Sequence, residues 1–495
     1  MLVWKQDANI IREVAANEEE DLISQLSDDI LISIIGVLRT KDAVRTSILS
    51  KRWRNLYKFV PNVDFRCEYL FGRCCVRVPH DSSMLINGVD KFLRLRSGFK
   101  IRSLYLNCCL MKLSADRYEQ FIYSLGRLGI ERLALFSSSC NMTTNYTFAC
   151  QLLSQMPSLE CFYLEGCSLH QMRSLKQHFD VGLCSLHQMP KLTLPNNSQL
   201  QLLTLSRVTV LIGALECILS NCMCLHSLSI EFCKFTSKSL SLCGPNLQLK
   251  RLRIEFCTGV EEIEFYASNL VTFDIQNDEV VSFIFNHAPR LEKIALDFAN
   301  NNTMSYVCTK LAKDMPHPKS LYFASKGDIY RISSTIHTFS NLRQLKLCIY
   351  VTDKLNLLSL APFLQSCPLL QTEFVEYHEQ EVKRPDAVIH QELKEVEITG
   401  HGGTKVEIEF ALYILRSAIC LEEMQICRCP KWYRRQGAWT GRDKPPWSNE
   451  TLEMIHKQLR GQALSKYARL TIRHSPIYEF KFWSCDCYFG PSIFD

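Results

Sequence analysis

An apolar motif of the form Leu-x-x-Leu-x-Leu recurs through most of this 495-residue chain and constrains its fold more than any other feature. The central residues of the first ten copies are separated by 29, 29, 41, 25, 24, 21, 21, 27 and 24 residues. Such a period predicts a linear array of units, each of which buries its apolar side chains against its neighbours. The copies are Ile101-Leu104-Leu106, Ile130-Leu133-Leu135, Leu159-Phe162-Leu164, Leu200-Leu203-Leu205, Leu225-Leu228-Ile230, Leu249-Leu252-Ile254, Leu270-Phe273-Ile275, Leu291-Ile294-Leu296, Leu321-Phe323, Leu342-Leu345-Leu347, an irregular copy at Leu370 to Phe374, Leu393-Val396-Ile398 and Leu421-Met424-Ile426.

This motif and its period resemble those of leucine-rich-repeat proteins. The resemblance implies an α/β fold, a solenoid in which each unit adds one short strand to a curved, mostly parallel sheet. Helical or irregular segments return the chain to the next strand. Several of the 24 cysteines lie two or three residues past a predicted strand, where this repeat class takes Asn or Cys, and they therefore have a structural explanation. These are Cys108, Cys167, Cys233 and Cys257.

Alternation along each strand predicts which side chains leave the repeat interior. In the first copy, Leu104 and Leu106 turn inward, so Tyr105 faces outward on the concave side. Exposed aromatic and arginine side chains are frequent anchors of protein interfaces. Some outward positions are therefore predicted to contact a substrate protein, the alternative being that they are ordinary exposed strand residues. They are Tyr105, Tyr163, Arg251, Arg253 and Lys346.

Residues 21–61 carry a second apolar pattern, with helical instead of strand spacing. It predicts three short helices: one beginning near Asp28, a second capped by Thr40, and a third over residues 53–60. Ser27 is a suitable cap for the first helix. A module this small hides only part of its apolar surface, so some of its stripes are expected to pack on the rest of the chain or on a partner.

Two segments of this stretch resemble the F-box of plant F-box proteins: Leu26-Ser27-Asp28-Asp29-Ile30-Leu31 and Thr46-Ser47-Ile48-Leu49-Ser50-Lys51-Arg52-Trp53-Arg54-Asn55-Leu56. The resemblance implies a module that docks on a Skp-type adaptor and, through it, on a cullin scaffold. The family usually has proline at the position of Ser27, where proline would restrict the entry of the chain into the helix. The alternative is a three-helix cap on the following domain.

The residues predicted to face the adaptor are the apolar positions of the first helix and of the helix junction. Some of them must form the core of the module, and the sequence does not separate the two groups. They are Leu26, Ile30, Leu31, Ile34, Leu38, Val44, Leu49 and Trp53.

Near the C-terminus, residues 390–426 resemble the FBD region that closes many plant F-box/leucine-rich-repeat proteins. The pattern predicts a strand, a glycine-rich turn, an amphipathic helix with Phe410, Ile414 and Leu415 inward, and a second strand. Such a unit suits the end of a solenoid. The turn at 400–405 lacks the spacing of a phosphate-binding Walker loop, so it is interpreted as a turn.

These patterns divide the chain into five parts. They predict a disordered leader at 1–20, an F-box at 21–61, leucine-rich repeats at 62–385 with an insertion at about 169–195, an FBD-like terminal unit at 386–428, and a basic, aromatic loop with a C-terminal segment at 429–495. The loop has residue types that bind single-stranded nucleic acid or acidic peptides, but its Gly and Pro content favours a solvated loop. After it, a helix, a strand and an aromatic tail packed on the array are expected.

Charge and hydropathy exclude some function classes. A net charge of +6 over this length argues for neither nucleic acid nor an anionic membrane as a partner. The most apolar run after the N-terminal helical stretch, at 208–215, is too short to span a bilayer. The leader lacks the pattern of a secretory signal. The protein is therefore expected in the cytoplasm, the nucleus or both.

Cysteine spacing gives no support to a metal site. The close pairs Cys222/Cys224, Cys427/Cys429 and Cys485/Cys487 each have one intervening residue, whereas zinc ligands usually have two to four. We therefore predict neither a metal nor a cofactor. The sequence also lacks Gly-x-Ser-x-Gly and His-Glu-x-x-His motifs, so no catalytic activity is expected.

Three functional hypotheses follow. The first, implied by the resemblance, is a non-catalytic substrate-recognition subunit of an SCF-type ubiquitin ligase. The second is a repeat-only scaffold for protein interactions that does not engage an adaptor. The third, a zinc-dependent or nucleic-acid-binding protein, rests only on the cysteine pairs and the basic loop.

Overall fold

The computed structural model describes fifteen segments of the chain. Several predicted features lie outside them: the leader, most of the insertion, Cys108, Cys167, Cys485, Cys487 and the aromatic tail. The described residues are 22–66, 82–96, 99–107, 115–136, 147–166, 168–170, 199–243, 247–278, 281–298, 303–326, 336–350, 357–376, 389–433, 439–441 and 443–476.

Helices dominate the N-terminal module and recur between the strands. The α-helices are α1 (Leu22–Gln25), α2 (Asp28–Val37), α3 (Thr40–Arg45), α4 (Ser82–Leu95), α5 (Ala115–Gly126), α6 (Ala214–Asn221), α7 (Thr303–Tyr306), α8 (Ala312–Asp314), α9 (Ala361–Gln365), α10 (Lys405–Ser417) and α11 (Asn449–Leu459). Segments of 3₁₀-helix span Thr46–Ile48, Trp53–Phe59, Cys150–Gln155 and Leu357–Leu360, and a π-helical turn spans Val307–Leu311.

The strands are β1 (Asn62–Arg66), β2 (Ser103–Asn107), β3 (Arg132–Phe136), β4 (Thr147–Ala149), β5 (Cys161–Glu165), β6 (Ser168–His170), β7 (Leu202–Ser206), β8 (Thr209–Val210), β9 (Ser227–Glu231), β10 (Lys234–Phe235), β11 (Ser239–Cys243), β12 (Arg251–Glu255), β13 (Glu262–Tyr266), β14 (Thr272–Asn277), β15 (Ser282–His287), β16 (Lys293–Phe298), β17 (Ser320–Lys326), β18 (Gln344–Tyr350), β19 (Thr372–Glu376), β20 (Glu395–Thr399), β21 (Glu423–Cys427), β22 (Lys431–Tyr433), β23 (Trp439–Gly441) and β24 (Arg469–Arg473).

One parallel sheet of 15 strands organises the molecule, and we call it the main sheet. Its order is β1-β2-β3-β5-β7-β9-β12-β14-β16-β17-β18-β19-β20-β21-β24, with every pair parallel. Each of the thirteen predicted motif copies contributes one strand, so the repeat prediction is confirmed. Strand β24 was also expected, whereas β1 was missed although Val63 and Phe65 alternate with polar residues there.

The inward residues of the main sheet form a continuous core. Leu104, Leu133 and Phe162 pair in register on successive strands, and all three are buried. The same cluster extends from Val63 in β1 to Leu459 in α11. The FBD-like unit is therefore continuous with the repeats, and Phe410 of α10 is buried as predicted.

The length of each repeat determines which kind of segment returns the chain to the next strand of the main sheet. The steps from Leu228 through Leu252 and Phe273 to Ile294 are 24, 21 and 21 residues, and strands β11, β13 and β15 make these returns. The longer steps of 25 to 29 residues contain helical turns. The physical reason is that a strand advances about 3.3 Å per residue and a helix about 1.5 Å, so helical returns require more residues.

Two predicted helix caps are not formed by the expected side chains. Ser27 occupies the N-cap position of α2, but its hydroxyl makes no capping hydrogen bond. Arg39, not Thr40, precedes α3, and the Thr40 hydroxyl instead accepts the backbone N–H of Asp64 at 2.8 Å.

The third predicted helix is a 3₁₀ segment, and the basic loop contains the antiparallel hairpin of β22 and β23.

The N-terminal module packs against the first repeat through a buried arginine. Arg96, which follows α4, donates from Nη2 to the carbonyl of Val60, and its guanidinium carbon lies 5.5 Å from the centre of the Phe92 ring. Burial lowers the pKa of Arg96 to about 10. Beside it, the rings of Phe59 and Phe99 meet edge to face at 4.7 Å. These contacts cover the β1 edge of the main sheet with the helical module.

We predict that Arg96→Met weakens this junction. The Val60 carbonyl would lose its donor while staying buried, so the free energy of unfolding should fall by about 1–3 kcal/mol. Arg94→Met is the matched control, because Arg94, in the last turn of α4, is exposed and pairs with Asp90 at 2.7 Å. Urea unfolding of both variants tests the prediction. Equal effects of the two substitutions would contradict the assigned role of Arg96.

Candidate protein-interaction surfaces

Helix α2 is apolar on two adjacent faces, which are offset by one residue around the helix. Leu31 and Ile35 are fully buried in the module core, where they pack with Trp53 and Leu56. A second stripe follows the helix at positions 30, 34 and 37 and is exposed, most strongly at Val37, with 82% of its surface accessible. A helix on a small module needs only one apolar stripe for its own core. The second stripe is therefore available to a partner, and we call it the α2 outer stripe.

The predicted adaptor-facing residues divide between these two environments. Leu31, at 0% exposure, and Trp53, at 7%, belong to the core, which corrects their assignment to a partner surface. Leu26 and Val44 are half-buried. The exposed members are Ile30, Ile34, Leu38 and Leu49, whose contact with an adaptor stays a prediction.

Sequence analysis missed two apolar residues that the structure exposes more than any of those predicted. Val37 lies seven positions after Ile30, so helical periodicity contained the signal for it. Ile48, at 84% exposure, lies in the 3₁₀ turn after α3. No local pattern distinguishes it, because a turn has no fixed buried face.

An arginine holds the entry of the chain into α2. Arg52 Nε donates to Asp28 Oδ1 at 2.8 Å, and Arg52 Nη2 donates to the carbonyl of Leu26. The chain on both sides of Ser27 is therefore tied to the segment that carries Trp53. These contacts of the charged residues of the motif fix the position at which the α2 outer stripe begins.

The predicted substrate-facing aromatics belong to a stack on the outer face of the main sheet. Tyr105 and Tyr163 lie on either side of the small Ala134 in register, and the ring of Phe136 fills the space between them. Its centre lies 4.5 Å from that of Tyr105 and 4.6 Å from that of Tyr163. Arg66 covers the other side of the Tyr105 ring, with its guanidinium carbon 4.6 Å from the centre of that ring. Phe136 was not predicted as part of this surface.

Burial affects the ionisation of both tyrosines. It raises the pKa of Tyr105 to about 12 and the pKa of Tyr163 further. The Tyr163 hydroxyl donates to Glu165 Oε2 at 2.8 Å, and Glu165 Oε1 pairs with Arg207 at 2.6 Å. Tyr105 is almost fully covered by its neighbours, so a partner would meet mainly the rest of this stack.

The predicted basic contacts are less accessible than simple strand alternation suggests. Arg253 Nη2 pairs with Glu255 Oε2 at 2.9 Å, and both side chains are largely buried. Arg251 and Lys346 are half-buried on the same face of the sheet. Their contact with a substrate stays a prediction.

The glycine-rich turn before α10 is filled by a carboxylate of the chain itself. Glu407, which is buried, accepts the N–H of Gly402 at 2.8 Å and that of Thr404 at 2.7 Å. His401 is also fully buried, and burial lowers its pKa. The amides that would otherwise face an anion are occupied, which agrees with the interpretation of this segment as a turn.

The repeat cysteines that the structure describes act as buried hydrogen-bond donors. Cys233 Sγ lies 3.4 Å from the carbonyl of Leu205, and Cys257 Sγ lies 3.5 Å from that of Ile230 in the neighbouring coil.

Within the described segments, no group of three or more His, Cys, Asp or Glu side chains could hold a metal ion. Nor do the helices found there include one long and apolar enough to cross a membrane.

Comparison with known families agrees with this architecture. Residues 92–467, more than half of the chain, match the model described as At1g61320/AtMIF1, LRR domain, and residues 23–56 match that of the F-box domain. The chain belongs to the plant F-box/leucine-rich-repeat proteins. It carries an F-box and a leucine-rich-repeat domain, and these families are generally non-catalytic. F-box domains generally bind Skp-type adaptors.

Individual relatives match over shorter stretches. A putative F-box/FBD/LRR-repeat protein of Arabidopsis thaliana is 34% identical over 124 residues, which are 25% of this chain and 27% of the relative. An FBD-associated F-box protein of the same plant is 32% identical over 160 residues, 30% of this chain and 34% of the relative. The chain therefore aligns with about a quarter to a third of the length of these curated F-box/leucine-rich-repeat relatives.

We predict that Glu407→Ala destabilises the FBD-like unit. Two largely buried N–H groups would lose their acceptor, so the free energy of unfolding should fall by about 2–4 kcal/mol. Glu453→Ala on the adjacent helix α11, where the side chain is exposed, is the control and should change it by less than about 0.5 kcal/mol. Hydrogen exchange of the 400–417 backbone provides the local measurement. Unchanged protection there would contradict the assignment.

Proposed function

We propose that this F-box/leucine-rich-repeat protein is the substrate-recognition subunit of an SCF-type ubiquitin ligase. The observation that carries the proposal is the α2 outer stripe, an exposed apolar surface on a module whose own core is already complete. Contiguous exposed apolar surface on a folded module is typical of a protein-interaction site. In this proposal the partner of the stripe is a Skp-type adaptor, which connects the chain to a cullin scaffold.

The mechanism is proximity. The adaptor holds the N-terminal module while the outer face of the main sheet holds a substrate protein. Arg96 and the ring pair Phe59/Phe99 join the two parts, so the bound substrate would keep a defined direction relative to the ligase. Transfer of ubiquitin then becomes effectively intramolecular. The chemistry belongs to other subunits, and we place the complex in the cytoplasm, the nucleus or both.

The decisive test is adaptor binding by a variant with charge in the α2 outer stripe. We expect Ile30→Asp combined with Ile34→Asp to weaken binding to a purified plant Skp-type adaptor on the order of 100-fold, about 2.7 kcal/mol, because carboxylates would be desolvated in an apolar contact. Both positions are exposed, so the fold should survive. A substitution at Leu31 would not serve, since it would unfold the core.

Ile212→Asp is the matched control, because Ile212 is strongly exposed but lies on the repeats, far along the chain from the module. It should bind the adaptor like the unsubstituted protein in isothermal titration calorimetry. If the folded unsubstituted protein binds none of several plant Skp-type adaptors, the ligase assignment is wrong. The better functional hypothesis would then be a repeat-only scaffold for protein interactions.

Restoring the usual proline should strengthen the module. Ser27 has φ of −66°, which matches the value that proline imposes, and its hydroxyl makes no capping bond that would be lost. Ser27→Pro should therefore raise the free energy of unfolding by about 0.4–1 kcal/mol. Thermal unfolding of the full chain with and without adaptor measures this. A lower unfolding temperature would show that Leu26 cannot adopt the conformation required before proline.

A further inference from the structure

Three consecutive coils end their strand with an unusual backbone conformation. Arg207, Phe232 and Phe256 each follow a main-sheet strand immediately and have φ of 49°, 53° and 47°. This left-handed region is uncommon for residues other than glycine and is unfavourable for bulky side chains. In the preceding coil, the corresponding residue is Gly166, with φ of 75°. The sequence analysis did not anticipate this feature, because the repeat motif stops before these positions.

Two interactions explain why the conformation persists. The N–H of Phe232 donates to the carbonyl of Glu255 at 2.7 Å, and that of Phe256 donates to Gln276 at 2.7 Å, each in the next coil. The following residues, Cys233 and Cys257, are buried. The turn thus places the cysteine inside the coil and leaves the large residue before it at the surface.

The three side chains stack on one another across the coils. The Arg207 guanidinium carbon lies 5.5 Å from the centre of the Phe232 ring, and the Phe232 and Phe256 rings stack at 5.4 Å with 20° between their planes. Phe232 is 39% exposed and Phe256 is half-buried. The coils therefore leave parts of two stacked aromatic rings exposed to solvent, where the hydrophobic effect favours covering them.

This exposed end continues the stack on the outer face of the sheet. Arg207 pairs with Glu165, which accepts the Tyr163 hydroxyl, and Tyr163 stacks on Phe136. We call the whole set the stacked row: Arg66, Tyr105, Phe136, Tyr163, Glu165, Arg207, Phe232 and Phe256. It crosses seven neighbouring strands of the main sheet, about 29 Å at 4.8 Å per strand. An extended peptide of roughly nine residues has this length.

The charges along the stacked row are balanced by the chain itself. Arg66 pairs with Asp64 at 3.0 Å, and Arg207 pairs with Glu165 at 2.6 Å. Beside them, Arg253 pairs with Glu255. A nucleic-acid backbone needs an excess of cations, whereas both arginines of the stacked row are paired with carboxylates. Its chemistry instead suits uncharged apolar and aromatic groups, for which aromatic faces are frequent interface anchors.

We propose that the stacked row is the substrate-docking surface of this protein and that it binds an extended, uncharged segment of a substrate protein. The main anchor is an aromatic or aliphatic side chain of that segment packed on Phe232 and Phe256. The proposal rests on the proposed function in one respect: only a ligase subunit would have this bound protein as its substrate. The docking surface itself is tested independently of the adaptor.

The test uses the full-length protein and a phage-displayed library of random 12-residue peptides as the probe. Peptides selected by the unsubstituted protein should contain at least two apolar side chains, one of them aromatic. Synthetic copies of the selected peptides are then titrated by fluorescence anisotropy. The combined variant Phe232→Asn and Phe256→Asn should bind them at least tenfold more weakly. Asparagine adopts the left-handed conformation more readily than phenylalanine, so the fold should be retained.

Two further variants sharpen the result. Phe232→Tyr with Phe256→Tyr keeps both rings and should bind within threefold of the unsubstituted protein. Tyr266→Asn removes an exposed ring from β13, outside the stacked row, and should bind within twofold. All variants should bind a Skp-type adaptor equally. If adaptor binding fails but peptide binding depends on the two phenylalanines, the docking surface stands and the ligase assignment falls.

Other outcomes would overturn the proposal. Selection of no peptide above the level of an uncoated surface would do so, as would selected peptides that bind the asparagine variant within twofold of the unsubstituted protein. A 20-nucleotide oligothymidine whose binding depends on Phe232 and Phe256 would replace the protein segment with single-stranded nucleic acid as the occupant.

Discussion

Backbone hydrogen bonding between parallel coils is the interaction on which the rest of this structure depends. The carbonyl of Arg102 accepts the N–H groups of Glu131 and Arg132, and the same pattern joins Glu131 to the next coil. Because these bonds run only between neighbours, no coil can satisfy its backbone or bury its inward residues alone. The first strand therefore needs a cover, and the F-box module provides it: its Thr40 hydroxyl accepts the N–H of Asp64, and its Val60 carbonyl accepts a hydrogen bond from the buried Arg96.

The same register creates the surface that a partner would meet. Strands lie about 4.8 Å apart, which is close to the separation at which aromatic rings and guanidinium groups stack. Residues that are far apart in the chain, such as Tyr105 and Phe256, thereby become members of one row. A planar side chain at one position favours planar side chains at the corresponding position of the next coil. The row is a consequence of the coil spacing as much as of the individual residues.

The F-box module uses its residues in another way. With few residues available for a core, α2 contributes Leu31 and Ile35 to the interior and exposes Ile34 and Val37 on the adjacent face. The two stripes differ by one position in the helix, so composition and hydropathy are nearly the same for both. What separates them is the placement of Trp53, which covers one stripe and leaves the other to solvent.

The sequence alone determined the architecture of this protein. Periodic leucines predicted thirteen of the fifteen strands of the main sheet, because strand alternation and burial are local consequences of the motif. The helical pattern and its landmarks predicted the module before it. The segment at 400–405 was interpreted as a turn from its spacing, whereas its filling by Glu407 was not predicted, although a carboxylate three residues into a helix is placed to accept the N–H groups before it.

Only the tertiary structure decided which apolar residues are available. Leu31 and Ile30 are indistinguishable by type, and their burial depends on a segment more than twenty residues away that folds over one of them. The left-handed conformation of Phe232 and Phe256 likewise arises from hydrogen bonds to carbonyls of the next coil. Local sequence specifies periodicity because periodicity is a property of one segment. Exposure and stacking are properties of two segments brought together, so they follow from the fold.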